Sequence, residues 1–328
     1  MRPTRLKPLL CLALVSLFLI SACGDDEEQP ASGGESTPAA EEGSGKLIKS
    51  NPDNAKTTLT IGSKNFPEQF ILGEIYAQSL EAAGYKVSKQ LNLGSEQIAF
   101  KAVKSGQVDA YPEYTGTSLV NFFKVKTDAI PKDPQEAYDQ AKADFAKEKL
   151  VAFAPTPFTD SNGFAMTKAR AEELGVTKLS DLADKAKDLT LYGPPECRQR
   201  EDCKLGLENV YGLKFKKFTP VDLELRHEVL EKGQADVSLV FTTDGEIKAN
   251  DLLLLEDDKQ LFPPYNVSLI VRQEAVDSAG ADLQKTAETV QEGLTTEVMQ
   301  ELNSRVTLDK EKPADVAATY LRETGYVK

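Results

Sequence analysis

Residues 103–109 read Val-Lys-Ser-Gly-Gln-Val-Asp, and residues 230–236 read Leu-Glu-Lys-Gly-Gln-Ala-Asp. Each copy is predicted to contain the end of a helix, a glycine that caps it, and the start of a strand. The glycines of the two copies, Gly106 and Gly233, are 127 residues apart, about the length of one small domain. The repetition predicts two α/β lobes of related build, although a helix–glycine–strand junction is common enough to recur by chance.

The chain between residues 59 and 111 alternates short apolar runs with amphipathic stretches. A strand at 59–61 leads into a helix with apolar residues at i, i+4 spacing, which Gly84 ends. A strand at 86–91, a helix at 96–104 and a strand at 108–111 follow. Strands that alternate with helices predict an α/β sheet. In such folds a ligand binds at the carboxyl ends of strands, and between two lobes it binds in the cleft.

The composition excludes several classes of function. The chain has 328 residues, enough for two domains, and its 39 Lys and Arg against 52 Asp and Glu give a formal charge of −13. This acidity argues against binding to nucleic acid or attachment to anionic lipid through a basic patch. The single histidine, His227, argues against a histidine metal centre or a Ser-His-Asp triad. We therefore expect no enzyme activity, no cofactor and no metal, and we place His227 on the surface of a charged helix at 224–232.

The amino terminus has the pattern of an export signal. Three basic residues precede an apolar stretch at 9–20, too short for a good membrane span, which ends in Ile20-Ser21-Ala22-Cys23. These residues resemble the lipobox of bacterial lipoproteins. The resemblance implies a signal peptide at 1–22, acylation of Cys23 with diacylglycerol and palmitate, and a lipid anchor on the outer side of the cytoplasmic membrane. An ordinary signal peptide with a chance cysteine is the alternative.

Residues 23–56 are predicted to be a flexible linker, because they are rich in Gly, Ser, Glu and Pro and poor in large apolar residues. Cys197 and Cys203 lie beyond it, in a loop bounded by proline and glycine. In an oxidising compartment a local disulfide is the favoured interpretation. A redox-active pair is disfavoured because the spacing is not C-x-x-C, and a metal site would need two more ligands.

Aromatic residues cluster where strands end. The stretches are Tyr-Pro-Glu-Tyr-Thr-Gly-Thr at 111–117, Val-Phe-Thr-Thr-Asp at 240–244 and Phe-Pro-Pro-Tyr-Asn at 262–266. Aromatic faces attract cations and are used to recognise quaternary ammonium groups. Taken singly, each aromatic residue fits a core position at least as well.

Together with Gly-Ser-Lys-Asn-Phe-x-Glu-Gln at 62–69, these stretches resemble one group of transport proteins from about residue 59 to the end of the chain. The group comprises the substrate-binding proteins of glycine betaine/choline/carnitine (osmoprotectant) ABC transporters. The resemblance implies a type II periplasmic-binding-protein fold, with lobe I at 57–156 and 262–328 and lobe II at 157–261, closing on a small solute. It also implies a partner permease in the membrane with a separate ATPase. We expect a monomer.

The resemblance assigns roles to individual residues. For the ligand carboxylate it implies contacts from Lys64, Thr117 and Arg200, since a cationic fork suits a carboxylate. For the ammonium group it implies an aromatic cage and a nearby acid, formed by Tyr114, Tyr265, Phe241 and Asp160.

Two positions depart from the family pattern. Asn162 stands where some relatives have a cage tyrosine, and Phe241 stands where a cage tyrosine often precedes Ser/Thr-Thr-Asp. The resemblance makes glycine betaine the first candidate ligand. Because of the two departures, another small zwitterion or an amino-acid-like solute also stays possible. A sensor or scaffold role without a transporter also stays open.

Each role has a simpler structural alternative. Lys64 could be a solvated loop residue. Arg200 could pair only with Glu201 or Asp202. Asp160 could be the N-cap of a helix that follows it.

Overall fold

The computed structural model describes residues 47–328. The predicted signal peptide, Cys23 and the first part of the predicted linker lie outside the described residues. The chain divides into two units, Met1–Glu42 and Gly43–Lys328. All described residues belong to the second unit, which we call the body. Within the described range, no helix combines the length and the apolar character that crossing a membrane requires.

The body is built on two five-stranded sheets. The strands of the first sheet are β1 Thr58–Gly62, β2 Lys86–Gln90, β3 Ala110–Tyr114, β4 Leu150–Ala152 and β10 Val267–Arg272. Those of the second are β5 Asn162–Thr167, β6 Thr190–Gly193, β7 Lys217–Pro220, β8 Val237–Phe241 and β9 Leu252–Leu254.

The two sheets have the same topology. Their strand orders are β2-β1-β3-β10-β4 and β7-β6-β8-β5-β9. In each sheet the first three strands are parallel and the last two pairings are antiparallel. The predicted two-lobed α/β architecture is therefore confirmed, while the predicted lobe boundaries stay a prediction.

Helices cover both sheets. They are α1 Pro67–Ala82, α2 Glu96–Ser105, α3 Thr115–Thr117, α4 Pro134–Lys147, α5 Lys168–Leu174, α6 Lys204–Tyr211, α7 Glu228–Glu231, α8 Glu246–Ala249, α9 Gln273–Ala279, α10 Ala281–Gln291, α11 Thr296–Thr307 and α12 Pro313–Glu323. Short 3₁₀ turns lie at Pro52–Lys56, Thr127–Ala129, Leu179–Leu182, Ala186–Asp188, Pro195–Gln199 and Leu223–Leu225, and a π-helical turn lies at Ser118–Phe122.

Helix α1 is the centre of the first lobe. It begins at a proline, which lacks the N–H that a first helical residue leaves unpaired. It is buried on most sides because α10, α11 and α12 pack against it in addition to the first sheet. The C-terminal helices thus belong to the lobe that the N-terminal strands begin.

Two segments cross between the sheets, residues 153–161 from β4 to β5 and residues 255–266 from β9 to β10. They are hydrogen-bonded to each other. Asn266 Nδ2 donates to the carbonyl of Thr156 at 3.0 Å, and Asp160 N–H donates to the carbonyl of Tyr265 at 3.2 Å. A rotation of one lobe against the other must therefore pass through this pair of segments.

The repeated heptapeptide has the predicted helix end and glycine in both lobes, but the strands that follow begin just after it, at Ala110 and Val237. Gly106 caps α2 with φ 77°, and Gly233 follows α7 with φ 63°. Both values lie in the left-handed region that favours glycine.

The aspartate that ends each copy has the same role in each sheet. Asp109 accepts a hydrogen bond from Thr60 N–H at 2.8 Å and pairs with Arg272 at 3.4 Å. The second copy reproduces this arrangement with Asp236, which accepts from Thr190 N–H at 2.8 Å and pairs with Arg170 at 3.1 Å. The similarity of the copies thus reflects a shared junction between neighbouring parallel strands.

One predicted strand was misplaced. The prediction of a strand at 108–111 is wrong in its bounds, because β3 covers Ala110–Tyr114 and so includes the Tyr-Pro-Glu-Tyr stretch. Pairing with β1 stops at Ala110, whereas pairing with β10 continues to Tyr114. Pro112 has no N–H to donate, so it ends the first pairing without weakening the second. Tyr114 consequently lies at the carboxyl end of a strand that is open toward the cleft.

We expect Asp109→Ala and Asp236→Ala each to lower the free energy of unfolding of the body by about 1–3 kcal/mol, because each leaves a backbone N–H and an arginine without an acceptor. Urea denaturation of the body measures this. Asp53→Ala is the control, since Asp53 forms only an exposed ion pair with Lys56. Equal losses in all three variants would contradict the proposed role of the repeated aspartates.

Candidate functional site

A cavity lies between the two sheets, at the edge where β1, β3, β6 and β8 end. It encloses about 480 Å³ of space free of protein atoms, counted out to its open mouth. Every predicted ligand-binding residue lines it, namely Lys64, Tyr114, Thr117, Asp160, Asn162, Arg200, Phe241 and Tyr265. The structure therefore brings these residues together, while their contacts with a ligand stay predictions.

Other lining residues were not identified from the sequence. They are Asn65, Phe66, Ser95, Glu96, Pro194, Glu196, Leu223 and Leu239. Most of them follow a strand directly or begin a helix beside one, as Phe66 does before α1 and Glu96 does in α2. Their position after a strand was the signal that could have identified them.

One side of the cavity is aromatic. The ring of Phe66 stacks against Tyr114 at 6.1 Å between centroids and lies 5.3 Å from the ring of Phe241. The ring of Tyr265 also lines the cavity. The rings come from both lobes, so the aromatic wall is complete only when the lobes are together.

Two buried carboxylates lie at this aromatic side. Glu68 accepts hydrogen bonds from the Tyr114 hydroxyl at 2.7 Å and from the Thr243 hydroxyl at 2.6 Å. Burial raises the pKa of Glu68. Burial, with the nearby carboxylates of Glu68 and Asp244, raises the pKa of Asp160 well above its usual range. A positive charge placed in this part of the cavity would relieve that repulsion.

Asp160 does not cap a helix. The segment after it is strand β5, and Asp160 Oδ1 accepts from Thr243 N–H at 3.3 Å. The alternative prediction of a helix N-cap is therefore wrong. The carboxylate lies on a segment that crosses between the lobes and lines the cavity.

Lys64 is buried, with 5% of its side chain exposed. Its Nζ donates to Glu113 Oε1 at 2.5 Å and lies 4.2 Å from the centroid of the Tyr114 ring. The alternative of a solvated loop residue is therefore wrong. The ammonium group is already neutralised by one carboxylate, although it keeps further N–H donors.

Arg200 forms a two-pronged pair with Asp202. Its Nε donates to Oδ1 at 2.8 Å and its Nη2 to Oδ2 at 2.7 Å. Although burial opposes it, the guanidinium lowers the pKa of Asp202. Nη1 lies 3.8 Å from Glu96, a residue of the opposite lobe, and no described residue accepts a hydrogen bond from it. Arg200 thus pairs with Asp202, as one alternative predicted, and still presents a free donor edge to the cavity.

Asn162 links Asp202, the partner of Arg200, to the aromatic residue Tyr265. Its Nδ2 donates to the carbonyl of Asp202 at 3.0 Å and to the Tyr265 hydroxyl at 3.2 Å. The same Tyr265 hydroxyl donates to Asp202 Oδ2 at 2.8 Å. Asn162 therefore supplies no ring, but it fixes the orientation of one.

A disulfide between Cys197 and Cys203 closes the loop that carries Arg200, with 5.2 Å between the Cα atoms. Both cysteines are buried. The disulfide anticipated from the cysteine spacing is thus present in the structure. It limits the freedom of the loop and hence of the guanidinium.

Contacts between the lobes close the cavity at its aromatic side. Asn303 Nδ2 in α11 donates to the carbonyl of Thr243 at 3.1 Å and to Glu68 Oε2 at 2.9 Å. Gln300 Nε2 donates to the carbonyl of Thr242 at 3.1 Å. Because these bonds join α11 of the first lobe to the loop after β8 of the second, the structure is a closed form.

The prediction that His227 lies on the surface is wrong, because its side chain is buried. Its Nε2 lies 2.9 Å from Asp244 Oδ2, and Arg226 Nε donates to the same oxygen at 2.9 Å. Asp244 in turn accepts from Phe241 N–H at 2.8 Å, and the Arg226 guanidinium lies 4.9 Å from the Phe241 ring. This cluster holds the loop that presents Phe241. His227, Asp244 and Glu246 are close enough to share a metal ion, but Arg226 already neutralises Asp244.

Comparison with known proteins gives a consistent result. Residues 57–323 match the family model described as the substrate-binding domain of ABC-type glycine betaine transport systems. A glycine-betaine-binding protein of Pseudomonas aeruginosa is 36% identical over 279 residues, which cover 81% of this chain and 88% of that protein. A carnitine transport binding protein of Listeria monocytogenes is 32% identical over 83% of this chain and 89% of that protein.

An ergothioneine transport permease/ergothioneine binding protein of Helicobacter pylori is 30% identical over 84% of this chain, and the match covers 49% of that longer protein. Among solved structures, a glycine betaine/carnitine/choline ABC transporter protein superimposes with a TM-score of 0.66 at 30% identity. That match covers 82% of this chain and 99% of the other.

We expect the double variant Cys197→Ser/Cys203→Ser to lower the free energy of unfolding of the body by about 2 kcal/mol, because the disulfide closes a short loop in the unfolded chain. Urea denaturation measures the loss. Treating the unaltered body with a reductant should produce the same loss, and the double variant should not respond to the reductant. If the reductant also lowered the free energy of unfolding of the double variant, the loss could not be attributed to this disulfide.

Proposed function

The chain belongs to the family of substrate-binding domains of ABC-type glycine betaine transport systems, and on that premise we propose that its cavity holds a small quaternary-ammonium zwitterion, with glycine betaine as the first candidate. The family consists of extracytoplasmic binding proteins that work with a membrane permease, and it is not a family of enzymes. The proposal concerns the ligand and the residues that hold it.

One observation supports the proposal above the others. The rings of Phe66, Tyr114, Phe241 and Tyr265 and the carboxylate of Asp160 line a single cavity between the lobes. A quaternary ammonium has no N–H to donate, so only ring faces and negative charge can recognise it. Each ring contributes about 0.5–2 kcal/mol to the binding of a desolvated cation.

Other residues of the lining suit a carboxylate. Arg200 keeps Nη1 free, and no hydrogen bond joins the Thr117 hydroxyl to another residue of the described part of the chain. Lys64 adds positive charge beside the Tyr114 ring. We assign the ligand carboxylate to these groups, as the family resemblance implies.

Closure of the lobes couples binding to transport in this proposal. The ligand ammonium group neutralises Asp160, whose pKa is raised by burial and by the charges of Glu68 and Asp244. The hydrogen bonds that the Thr243 hydroxyl donates to Glu68 and that Asn303 donates to the Thr243 carbonyl then stabilise the closed form. The closed, loaded protein is the species that would deliver its solute to the permease. A lipid anchor at Cys23 and a monomeric state complete the proposal.

A second ligand within the same class is favoured by Asn162. This residue replaces a ring by an amide that bonds to Tyr265 and Asp202. With one ring fewer and one amide more, the cavity suits glycine betaine less well than a ligand with more polar groups. The relatives named for carnitine and for ergothioneine show that the family includes such proteins by name.

We expect Tyr114→Ala to raise the Kd for glycine betaine by about 10-fold or more, since it removes a ring face and the bond to Glu68. Tyr114→Phe keeps the ring and should lose less affinity. Calorimetric titration of the body, freed of bound ligand by unfolding and refolding, measures both. Tyr138→Ala is the control, because Tyr138 is buried in α4 outside the cavity. Equal loss in Tyr114→Ala and Tyr138→Ala would contradict the cage.

We expect affinity for a quaternary-ammonium ligand to rise with pH. The pKa of Asp160 is raised in the free closed form, and a bound cation favours the ionised carboxylate, so binding releases a proton. The rise should span the interval from the usual carboxyl range up to the raised pKa and then level off. Calorimetry at one pH in buffers of different ionisation enthalpy counts the released protons. Asp160→Asn should bind more weakly and release fewer protons, and an unchanged proton count in this variant would contradict the assignment.

A further inference from the structure

Glu96 is a buried acid with no hydrogen-bond partner. It lies in the first turn of α2, lines the cavity, and has 6% of its side chain exposed. Its nearest opposite charge is Arg200 Nη1 at 3.8 Å, which is beyond hydrogen-bond distance. Across the described residues, no group donates a hydrogen bond to this carboxylate. Because this unpaired carboxylate faces the cavity, it is able to accept a hydrogen bond from a donor on the ligand.

The charged residues around Glu96 also favour a ligand that carries a hydrogen-bond donor. Arg200 is already neutralised by Asp202, and Glu196 adds a second carboxylate to the lining. Burial raises the pKa of Glu196, and the negative charge of Glu96 adds to the effect. A ligand carboxylate bound at Arg200 Nη1 would lie close to Glu96, and an N–H or O–H group on the same ligand would offset the repulsion between the two carboxylates.

From these contacts we propose that Glu96 accepts a hydrogen bond from the ligand and so determines specificity within the quaternary-ammonium class. The favoured ligand has a hydroxyl or ring N–H donor in addition to its quaternary ammonium group. This inference rests on the proposed function and deepens it. Glycine betaine has neither an O–H nor an N–H, so it fills the cage but leaves Glu96 without a donor. Donor-bearing members of the class satisfy both ends of the cavity.

The test uses matched ligands that differ only in a hydroxyl group. Carnitine and γ-butyrobetaine form a long pair, and choline and ethyltrimethylammonium form a short pair. In calorimetric titrations of the ligand-free body, the hydroxylated member of the pair that fits should bind about 10-fold to 100-fold more tightly, as expected for a hydrogen bond to a charged group. Glu96→Ala should reduce that ratio to about 1-fold, and Glu96→Gln, which keeps a neutral acceptor, should give an intermediate ratio.

Glu74→Ala is the control, because Glu74 is a buried glutamate of the same lobe that lies outside the cavity and pairs with Lys89. It should leave the ratio unchanged, and circular dichroism should show all variants folded. The inference is overturned if the hydroxylated member is not preferred, if the preference survives Glu96→Ala, or if glycine betaine alone binds. If neither glycine betaine nor any member of the two pairs binds, the proposed function itself fails.

Discussion

The two segments that cross between the lobes are hydrogen-bonded to each other, and the site depends on this pairing. Asp160 N–H donates to the carbonyl of Tyr265, so the acid and one ring of the cavity are held by the same hinge. Phe66 and Tyr114 lie on the same lobe as Tyr265, whereas Phe241 lies on the other lobe and packs against Phe66 only when the lobes close. A rotation at the hinge therefore assembles or opens the aromatic wall without moving its two central residues far.

Closure has an electrostatic cost that a suitable ligand removes. Glu68 of the first lobe and Asp160 on the crossing segment are both buried. Burial raises the pKa of each carboxyl group, and the charge of Glu68 raises the pKa of Asp160 further. A cation between the rings offsets this repulsion, whereas a neutral or anionic solute does not. Because a ligand shifts a conformational equilibrium only by its difference in affinity for the two states, the proposed function requires the ligand cation to bind the closed form more tightly than the open form.

The sequence was informative wherever a local pattern fixes a local structure. The repeated heptapeptide predicted the glycines at the helix ends, Gly106 and Gly233, and the short cysteine spacing predicted the disulfide. Patterns say less about contacts between distant segments. Asn162 could be seen to lack a ring, but its bonds to Asp202 and Tyr265 join segments far apart in the chain. His227 was misplaced for the same reason, because a charged stretch is buried when Asp244 from another loop neutralises it.

The two ends of the cavity make different demands on a ligand, and this difference locates the specificity. Rings and negative charge recognise a trimethylammonium group whatever the rest of the molecule contains, so in the proposed function the aromatic wall selects a class of ligand. At the other end Arg200 offers donors and Glu96 offers an acceptor, and each needs a partner in a defined direction. A buried polar group that stays unpaired penalises the wrong ligand more than a missing ring contact does. Members of the class should therefore be distinguished at Glu96 and Arg200, where the disulfide and Asp202 already hold the guanidinium in place.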